Sequence, residues 1–135
     1  MKIYIAGCFE ERLRLRDIAN QLWHQGHEVT STWLDEVAQP PHMNQDEFYK
    51  KLAIKDLCEI QAADLLLHDT IVMSSRGGAS NEFGYALGAH QKKLLWIVGP
   101  ARSPFHQLAD RRFDDWETCV EALATYQKEI TKHDS

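Results

Sequence analysis

The sequence predicts an α/β fold in a single domain spanning residues 1–135. We expect a doubly wound parallel sheet of about five strands with helices on both faces, as in flavodoxin-like and Rossmann-like proteins. Short apolar runs at 3–6, 64–68 and 94–98 are typical of buried strands, and the run at 27–33 is rich in Val, Thr and Trp. Helical patterns separate these runs, and alternation of strands with helices favours parallel pairing.

The helices are predicted from the spacing of apolar residues and from signals at their ends. The first covers 10–25, where apolar residues recur on one face, and it is closed by a glycine. Asn44 and Glu47 have nearly the spacing of a capping box, so a second helix should start there. A third helix is predicted at 81–90, and the last begins at residue 114 or 115.

Ligands of doubly wound folds bind beyond the carboxyl ends of the strands, where the strand order reverses. The connections that reach this edge are 7–10, 34–43, 69–80 and 99–106, and most are rich in Gly, Pro, Ser or polar residues. A ligand crevice should therefore lie between them. The residues that we expect to line it are Gly7, Cys8, Phe9, Trp33, Asp69, Ser75, Arg76, Gly77, Gly78 and Ser80.

Composition and charge argue against several classes of function. The net charge is -5 with a pI of about 5.8, and the chain has no basic stripe, so a nucleic-acid polymer is not an expected partner. No apolar run approaches the ~20 residues that span a bilayer, so we expect no membrane contact. The absence of a signal-peptide pattern and the wide spacing of Cys8, Cys58 and Cys119 predict reduced thiols and a cytoplasmic location.

The sequence gives no reason to expect a cofactor or a metal. Its seven histidines show no metal-ligand spacing. It also lacks a GxGxxG motif and a Walker loop, which argues against nicotinamide and ATP enzymes of the standard kinds. The expected partner is therefore a small molecule held by side chains and backbone alone.

Glu82 is the strongest candidate for chemistry. A strand at 64–68 leads into a loop and then into a helix, so this carboxylate should lie within the first two turns of that helix. The helix dipole favours its ionised form there, and Gly77 and Gly78 allow a substrate to approach the backbone closely. Such a carboxylate is suited to attack on a sugar carbon, or to stabilisation of a cationic one. The alternative is a glutamate that only complements the helix dipole.

Other polar residues allow two interpretations each. Asp56 lies at the edge of an apolar helical stripe, either as a functional group or as a solvated carboxylate. Asp69 follows a strand, at the end where function is expected. Arg76 and Arg102 lie on crevice-side loops, where they either bind a phosphate or are simple surface charges. Trp33 either stacks on a base or belongs to the core.

Three segments together form a more specific pattern. They are the opening strand with its tyrosine at 3–7, the pattern D…I..AD at 56–64, and the pattern G…E.G.A at 78–86. With these segments the chain resembles the nucleoside 2-deoxyribosyltransferase superfamily, which includes the nucleoside 5'-monophosphate N-glycosidases. The resemblance covers residues 2–125.

The resemblance implies cleavage of the N-glycosidic bond of a nucleoside or nucleoside 5'-monophosphate, with water or a second base as acceptor. It implies that Glu82 is the nucleophile, that Asp56 handles the proton of the base, and that Tyr4 orients Glu82. It also implies a homo-oligomer, a dimer or a dimer of dimers, in which a site borrows residues from a neighbouring subunit. Our candidates for the borrowed residues are Arg102, Ser103 and His106.

The sequence departs from the family pattern at two positions. Arg76 stands six residues before Glu82, where the transferases carry an aspartate that contacts the base, and this favours a hydrolase. Glu10 stands in the first loop, where many of the monophosphate glycosidases carry an arginine. Two alternatives remain: a non-catalytic nucleotide-binding or sensing domain on the same fold, and a structural subunit, although we see no exposed apolar stripe for docking.

Overall fold

A computed structural model describes residues 1–36, 41–73, 77–89 and 91–134, with side chains up to residue 126. The strands are β1 Lys2–Ala6, β2 Glu28–Val29, β3 Leu65–Asp69, β4 Leu94–Val98 and β5 Arg111–Phe113. They pair in parallel in one sheet of order β2–β1–β3–β4–β5. This arrangement confirms the predicted α/β class, and its order reverses between β1 and β3.

The described α-helices are α1 Arg12–His24, α2 Gln45–Ala62, α3 Gly78–Leu87 and α4 Trp116–Asp134. Shorter 3-10 helices lie at Phe9–Glu11, Thr32–Asp35 and Pro104–Leu108. The Asn44 side chain accepts the Glu47 N–H at 2.8 Å, so the predicted N-cap of α2 is confirmed. Over the described ranges, no helix has the length and apolar character needed to cross a membrane.

β2 is much shorter than the predicted strand at 27–33, and side chains explain the difference. The last backbone bond at this edge of β1 runs from the Thr30 N–H to the Ile3 carbonyl at 2.7 Å, and beyond it side-chain groups bond to Ile5. The Ile5 N–H donates to Ser31 Oγ at 3.1 Å, and the Ile5 carbonyl accepts the Trp33 indole N–H at 2.7 Å. The chain is therefore free to turn into a 3-10 helix while the N–H and carbonyl of Ile5 keep partners.

The two faces of the sheet are covered by different helices. Side chains alternate along a strand, so Tyr4 and His68 point to one face, while Asp69 points to the other. The first face is covered by α3, because Tyr4 and His68 both contact residues of α3. α2 packs beside α3 on the same face and contacts β1. The second face is covered by α1 and α4, which contact Asp69 through Arg14 and Trp116. The sequence thus places Tyr4 beneath the helix that follows β3.

α2 is unusual because so few of its residues are buried. Of its 18 residues, all of which are described, only Ile60 is buried. Ile54 and Leu57 are 53% and 36% exposed and share one side of the helix with the exposed Cys58 and Gln61. These four residues form the α2 outer face. Our expectation that the chain has no exposed apolar stripe is therefore wrong.

Candidate active site

A buried phenol and a carboxyl group meet at the centre of the candidate site. Tyr4 is fully buried on β1, and its hydroxyl donates a hydrogen bond to Oε2 of Glu82 on α3. Burial, followed by the nearby charges of Glu82 and Asp56, raises the pKa of Tyr4 far above its ordinary value. The phenol is therefore a permanent donor, and it fixes the orientation of the Glu82 carboxyl group.

Local backbone geometry brings Glu82 to this position. Gly77 adopts a left-handed conformation with φ of 75°, and its carbonyl accepts the Asn81 N–H at 3.0 Å. α3 therefore begins at Gly78, three residues earlier than predicted, and Glu82 lies in its second turn. A side chain at position 77 would meet no atom within 4 Å, but the left-handed conformation still favours glycine there.

The expectation that the helix dipole keeps Glu82 ionised is opposed by burial. Burial is the largest influence and raises the pKa of Glu82 to about 8, although the hydrogen bond from Tyr4 acts in the opposite direction. The charge of Asp56 raises this pKa further. At neutral pH the resting carboxyl group therefore retains its proton in most molecules.

Asp56 is a second perturbed carboxyl group on the same face of the sheet. It is half-buried on α2, and burial raises its pKa to about 6, against the opposing effect of Lys55. Its Oδ1 atom is buried, and no hydrogen-bond partner for it occurs among the described residues. Buried oxygens without partners are rare and often mark places where a ligand binds. The structure thus separates Asp56 from ordinary solvated helix carboxylates.

The turn after β1 is tightly packed at Gly7 and more open beyond it. A Cβ atom at position 7 would lie 2.6 Å from Cδ1 of Leu15 and 3.9 Å from Cη2 of Trp33. The Cys8 thiol is buried and donates to Glu10 at 2.8 Å. Phe9 is 44% exposed, with the Arg12 guanidinium 4.4 Å from its ring centroid. This turn lies at the carboxyl end of β1, as predicted.

Asp69 and Trp33 have structural partners that the sequence did not reveal. Asp69 is buried, and its Oδ2 accepts bonds from Arg14 at 2.6 Å and Trp116 at 3.1 Å. Its Oδ1 accepts the Ile71 N–H at 2.8 Å. Trp33 is only 7% exposed, and its indole N–H donates within the core. These contacts disfavour a ligand-binding role for Asp69 and a base-stacking role for Trp33. Arg14 forms an ion pair with Asp69.

The predicted residues around the start of α3 are only partly described. Gly78 and Ser80 are exposed there, and a Cβ atom at position 78 would meet nothing within 4 Å. Space next to the backbone is therefore open, as the interpretation of the paired glycines requires. Ser75 and Arg76 lie outside the described residues.

The loop after β4, from which we expected a contribution to a neighbouring subunit, makes several contacts within its own subunit. The Arg102 side chain donates to the carbonyls of Thr70 at 2.6 Å and Ile71 at 3.0 Å. His106 is 2% exposed, and the half-buried Ser103 accepts the His106 N–H at 3.1 Å. The burial of His106 disfavours its projection into another subunit, whereas the exposed Arg102 contacts its own subunit and its part in a neighbouring site stays a prediction.

A buried histidine, His68 of β3, lies near the site. His68 is fully buried, and its ring nitrogens make no hydrogen bond of normal geometry among the described residues, although the Ala6 backbone is close enough to act on its pKa. In the sequence this histidine directly follows the three leucines of the same strand. Burial and the neighbouring His106 lower the pKa of His68 to about 4, so the ring is neutral at physiological pH. In the described part of the chain, no three His, Cys, Asp or Glu side chains are placed to hold a metal ion.

The chain forms a flavodoxin-like domain. A buried phenol and two carboxyl groups with raised pKa values lie close to β1 and β3, where the strand order reverses. No family model matches the sequence, and no curated protein matches it either. Among solved structures, the 2-deoxyribosyltransferase of Bacillus psychrosaccharolyticus is 21% identical, with 89% of this chain and 90% of that chain covered and a TM-score of 0.70. The CMP N-glycosidase BcmB of Clostridium botulinum is 18% identical, with 93% and 100% covered and a TM-score of 0.57.

These likenesses confirm the fold that the sequence resemblance implied. At such low identity they show a common architecture over nearly the whole chain. The chemistry performed on this architecture has to be argued from the side chains described above.

Proposed function

We propose that this chain is an enzyme that cleaves the N-glycosidic bond of a nucleoside or nucleoside 5'-monophosphate. One observation carries the proposal: Tyr4, Asp56 and Glu82 come from three separate elements, and each perturbs the ionisation of another. Perturbed groups of this kind concentrate at catalytic sites. The two solved structures of the same fold are named as a deoxyribosyltransferase and a CMP N-glycosidase, which supports this class of substrate.

The proposed mechanism assigns a separate role to each group. Ionised Glu82 attacks C1' of the sugar as the bond to the base breaks, through a transition state with oxocarbenium character. Protonated Asp56 donates its proton to the departing base. Tyr4 holds the attacking carboxylate in one orientation through its hydroxyl group. Water then hydrolyses the glycosyl-enzyme, or a second base accepts the sugar.

The rest of the substrate would lie against the two connections that flank these groups. In this proposal the turn at Gly7, Cys8 and Phe9 borders the sugar, and the open backbone at Gly77 and Gly78 approaches its 5' end. Ser75, Arg76 and Ser80 complete the proposed binding set. We favour hydrolysis over transfer because Arg76 replaces the aspartate that contacts the base in the transferases.

A panel assay tests the proposal directly. Purified protein is incubated with ribo- and deoxyribonucleosides and their 5'-monophosphates, and free base is measured by chromatography with and without a second base. Release of base from at least one substrate is expected, and transfer would show as a new nucleoside. If no member of the panel releases base at high enzyme concentration, the enzymatic assignment is wrong.

A non-catalytic nucleotide-binding or sensing domain is the second candidate, and one observation favours it. The pKa of Glu82 is about 8, so the resting carboxyl group is mostly neutral and a poor nucleophile at pH 7. A sensor would show thermal stabilisation by one of the same compounds with no base released. An enzyme would show release that depends on Glu82.

We also propose that the protein is a cytoplasmic homo-oligomer that pairs through the α2 outer face. This face leaves Ile54 and Leu57 in water in the single chain. Beside it lies a cleft of about 660 Å³, lined in part by Gln61, the exposed Gly84 of α3 and the exposed Gly88 that caps this helix. Glycines on an exposed helix face allow another helix to approach closely. A second copy could thereby cover apolar surface from both chains.

The substitution Leu57→Glu is expected to weaken this association. A charge in the middle of an apolar contact costs several kcal/mol, so dissociation should become easier by at least about 10-fold. Sedimentation velocity over a dilution series measures the effect. Leu13→Glu on α1 is the matched control, since Leu13 is 63% exposed on another helix. A wild-type protein that sediments as a monomer at all concentrations would contradict the proposal.

A further inference from the structure

The helix that carries Glu82 has one large side chain that is fully buried, while Tyr85 and Leu87 pack against the core only in part. Of the ten residues of α3, all of which are described, the buried ones are Ala79, Phe83 and Ala86. Two alanines offer little shape to fix the rotation of a helix about its axis, and Gly77 provides no side-chain cap. The pocket that receives Phe83, which is 1% exposed, is therefore the main contact that fixes the rotation of α3.

Two buried imidazole rings contact Phe83 in this pocket. The His68 ring centroid lies 5.6 Å from that of Phe83, and the His106 centroid lies 5.3 Å away at 79°. The two imidazoles are 5.1 Å apart at 77°. The two contacts of His106 are edge-to-face, a favourable geometry that depends on direction, whereas the rings of His68 and Phe83 are tilted by 34°. We call these three side chains the ring cluster.

The orientation of His106 is itself determined by a hydrogen bond. Its Nδ1 accepts the backbone N–H of Arg102 at 2.9 Å, so the neutral ring carries its proton on Nε2. Arg102 in turn holds the carbonyls of Thr70 and Ile71, directly after β3. Burial and the Arg102 charge lower the pKa of His106, and His68 is also neutral at pH 7. The cluster thus packs as three uncharged rings.

The ring cluster determines where Glu82 lies, because Glu82 immediately precedes Phe83. One residue corresponds to about 100° of rotation around an α-helix. Any rotation that removes Phe83 from its pocket therefore moves the Glu82 carboxyl group away from Tyr4. We propose that His106 is a positioning residue whose ring, packed on Phe83 and His68, holds α3 at the rotation that brings Glu82 to Tyr4. Its effect on catalysis rests on the proposed function, whereas its effect on Glu82 does not.

Two substitutions separate the ring of His106 from its hydrogen bond. His106→Phe keeps an aromatic ring and loses the acceptor for Arg102. His106→Asn keeps an acceptor near the position of Nδ1 and loses the ring. Gln107→Ala is the matched control, because Gln107 is exposed on the same 3-10 helix. Circular dichroism first establishes that each variant is folded.

The titration of the Glu82 carboxyl group by carbon-13 NMR, assigned with Glu82→Gln, is the main readout. In His106→Asn the carboxyl group should gain access to water, which lowers its pKa towards the ordinary value by at least about 1. The kcat for base release should fall by about 10-fold or more, with KM changed less. His106→Phe and Gln107→Ala should retain both values close to those of the wild type.

Several results would overturn the proposal. One is a folded His106→Asn variant in which Glu82 titrates as in the wild type. Another is an equal change of the Glu82 pKa and of kcat in His106→Phe and His106→Asn, which would assign the effect to the hydrogen bond. If His106→Asn does not fold, Phe83→Leu reduces the same contact from the other side and is tested by the same readouts. If the wild type cleaves no substrate, the proposed function fails, but the titration still decides the role of His106.

Discussion

Glu82→Gln is expected to reduce N-glycosidic cleavage by at least about a thousandfold. The amide keeps the shape of the side chain and an oxygen that can accept the Tyr4 hydroxyl, but it cannot form a bond to C1'. Both kcat and kcat/KM should therefore fall, whereas binding of the substrate should persist. Glu117→Gln, a carboxyl-to-amide change at an exposed position of α4, serves as the matched control.

The same substitution is expected to stabilise the protein, and the sign follows from proton binding. The pKa of Glu82 rises from 4.5 to about 8 on folding, so between these values the folded state binds the extra proton. Stability from this group is therefore present at low pH and is lost as pH rises towards 8. Glutamine has no proton to lose, so the variant should melt at least about 5 °C above the wild type at pH 8.

The difference in melting temperature should shrink as the pH falls towards 5, because the wild-type carboxyl group is then protonated in both states. Calorimetry or thermal fluorescence from pH 5 to pH 8 measures this trend. In the activity assay, a Glu82→Gln variant that retains turnover would exclude Glu82 as the nucleophile. A variant that melts below the wild type at pH 8 would show that the carboxyl group is not strained by burial.

Asp56→Asn is expected to slow cleavage by about 10²–10⁴-fold and to change the shape of the pH profile. The reactive form has Glu82 ionised and Asp56 protonated, although their pKa values are about 8 and about 6. At pH 7 each condition holds in about a tenth of the molecules, so about one molecule in a hundred is reactive. The wild-type profile should therefore be bell-shaped, with limbs near pH 6 and pH 8.

In the asparagine variant only the ionisation of Glu82 remains. The bell should become a single limb that rises with pH, and its midpoint should lie below 8, because removal of the Asp56 charge lowers the pKa of Glu82. Rates of base release from pH 5 to pH 9.5 measure both features. Asp17→Asn, at an exposed position of α1, is the control. A bell that survives in Asp56→Asn would assign the proton donor to another group.

Much of the architecture could be predicted from the sequence because buried strands need unbroken apolar runs. β1, β3 and β4 each have one, and their alternation with helices dictated a parallel sheet. β5, with the sequence Arg-Arg-Phe, has no such run, because an edge strand covers less of the core. β2 ended early because Ser31 and Trp33 replaced the backbone ladder, which no pattern of hydrophobicity reports.

The candidate site was less accessible to sequence reasoning. Tyr4 and Glu82 are far apart along the chain, and no spacing rule joins a residue on a strand to one on a distant helix; only the family resemblance paired them. Asp69 was placed at the correct end of β3, but alternation along the strand turns it to the face opposite Tyr4. His106 was placed on the correct loop, but its burial in the ring cluster was not predicted, because burial cannot be read from a polar residue in a loop.

The packing at Gly7 sets a rule for redesigning this domain. A methyl group at that position would collide with Leu15, since only 2.6 Å separates the two carbons. A library that diversifies the first turn in search of new base or sugar preferences should therefore vary positions 8 and 9 and leave position 7 unchanged. Where position 7 must be varied, the buried Leu15 side chain has to shift or be replaced by a smaller one, so the two sites are best randomised as a pair.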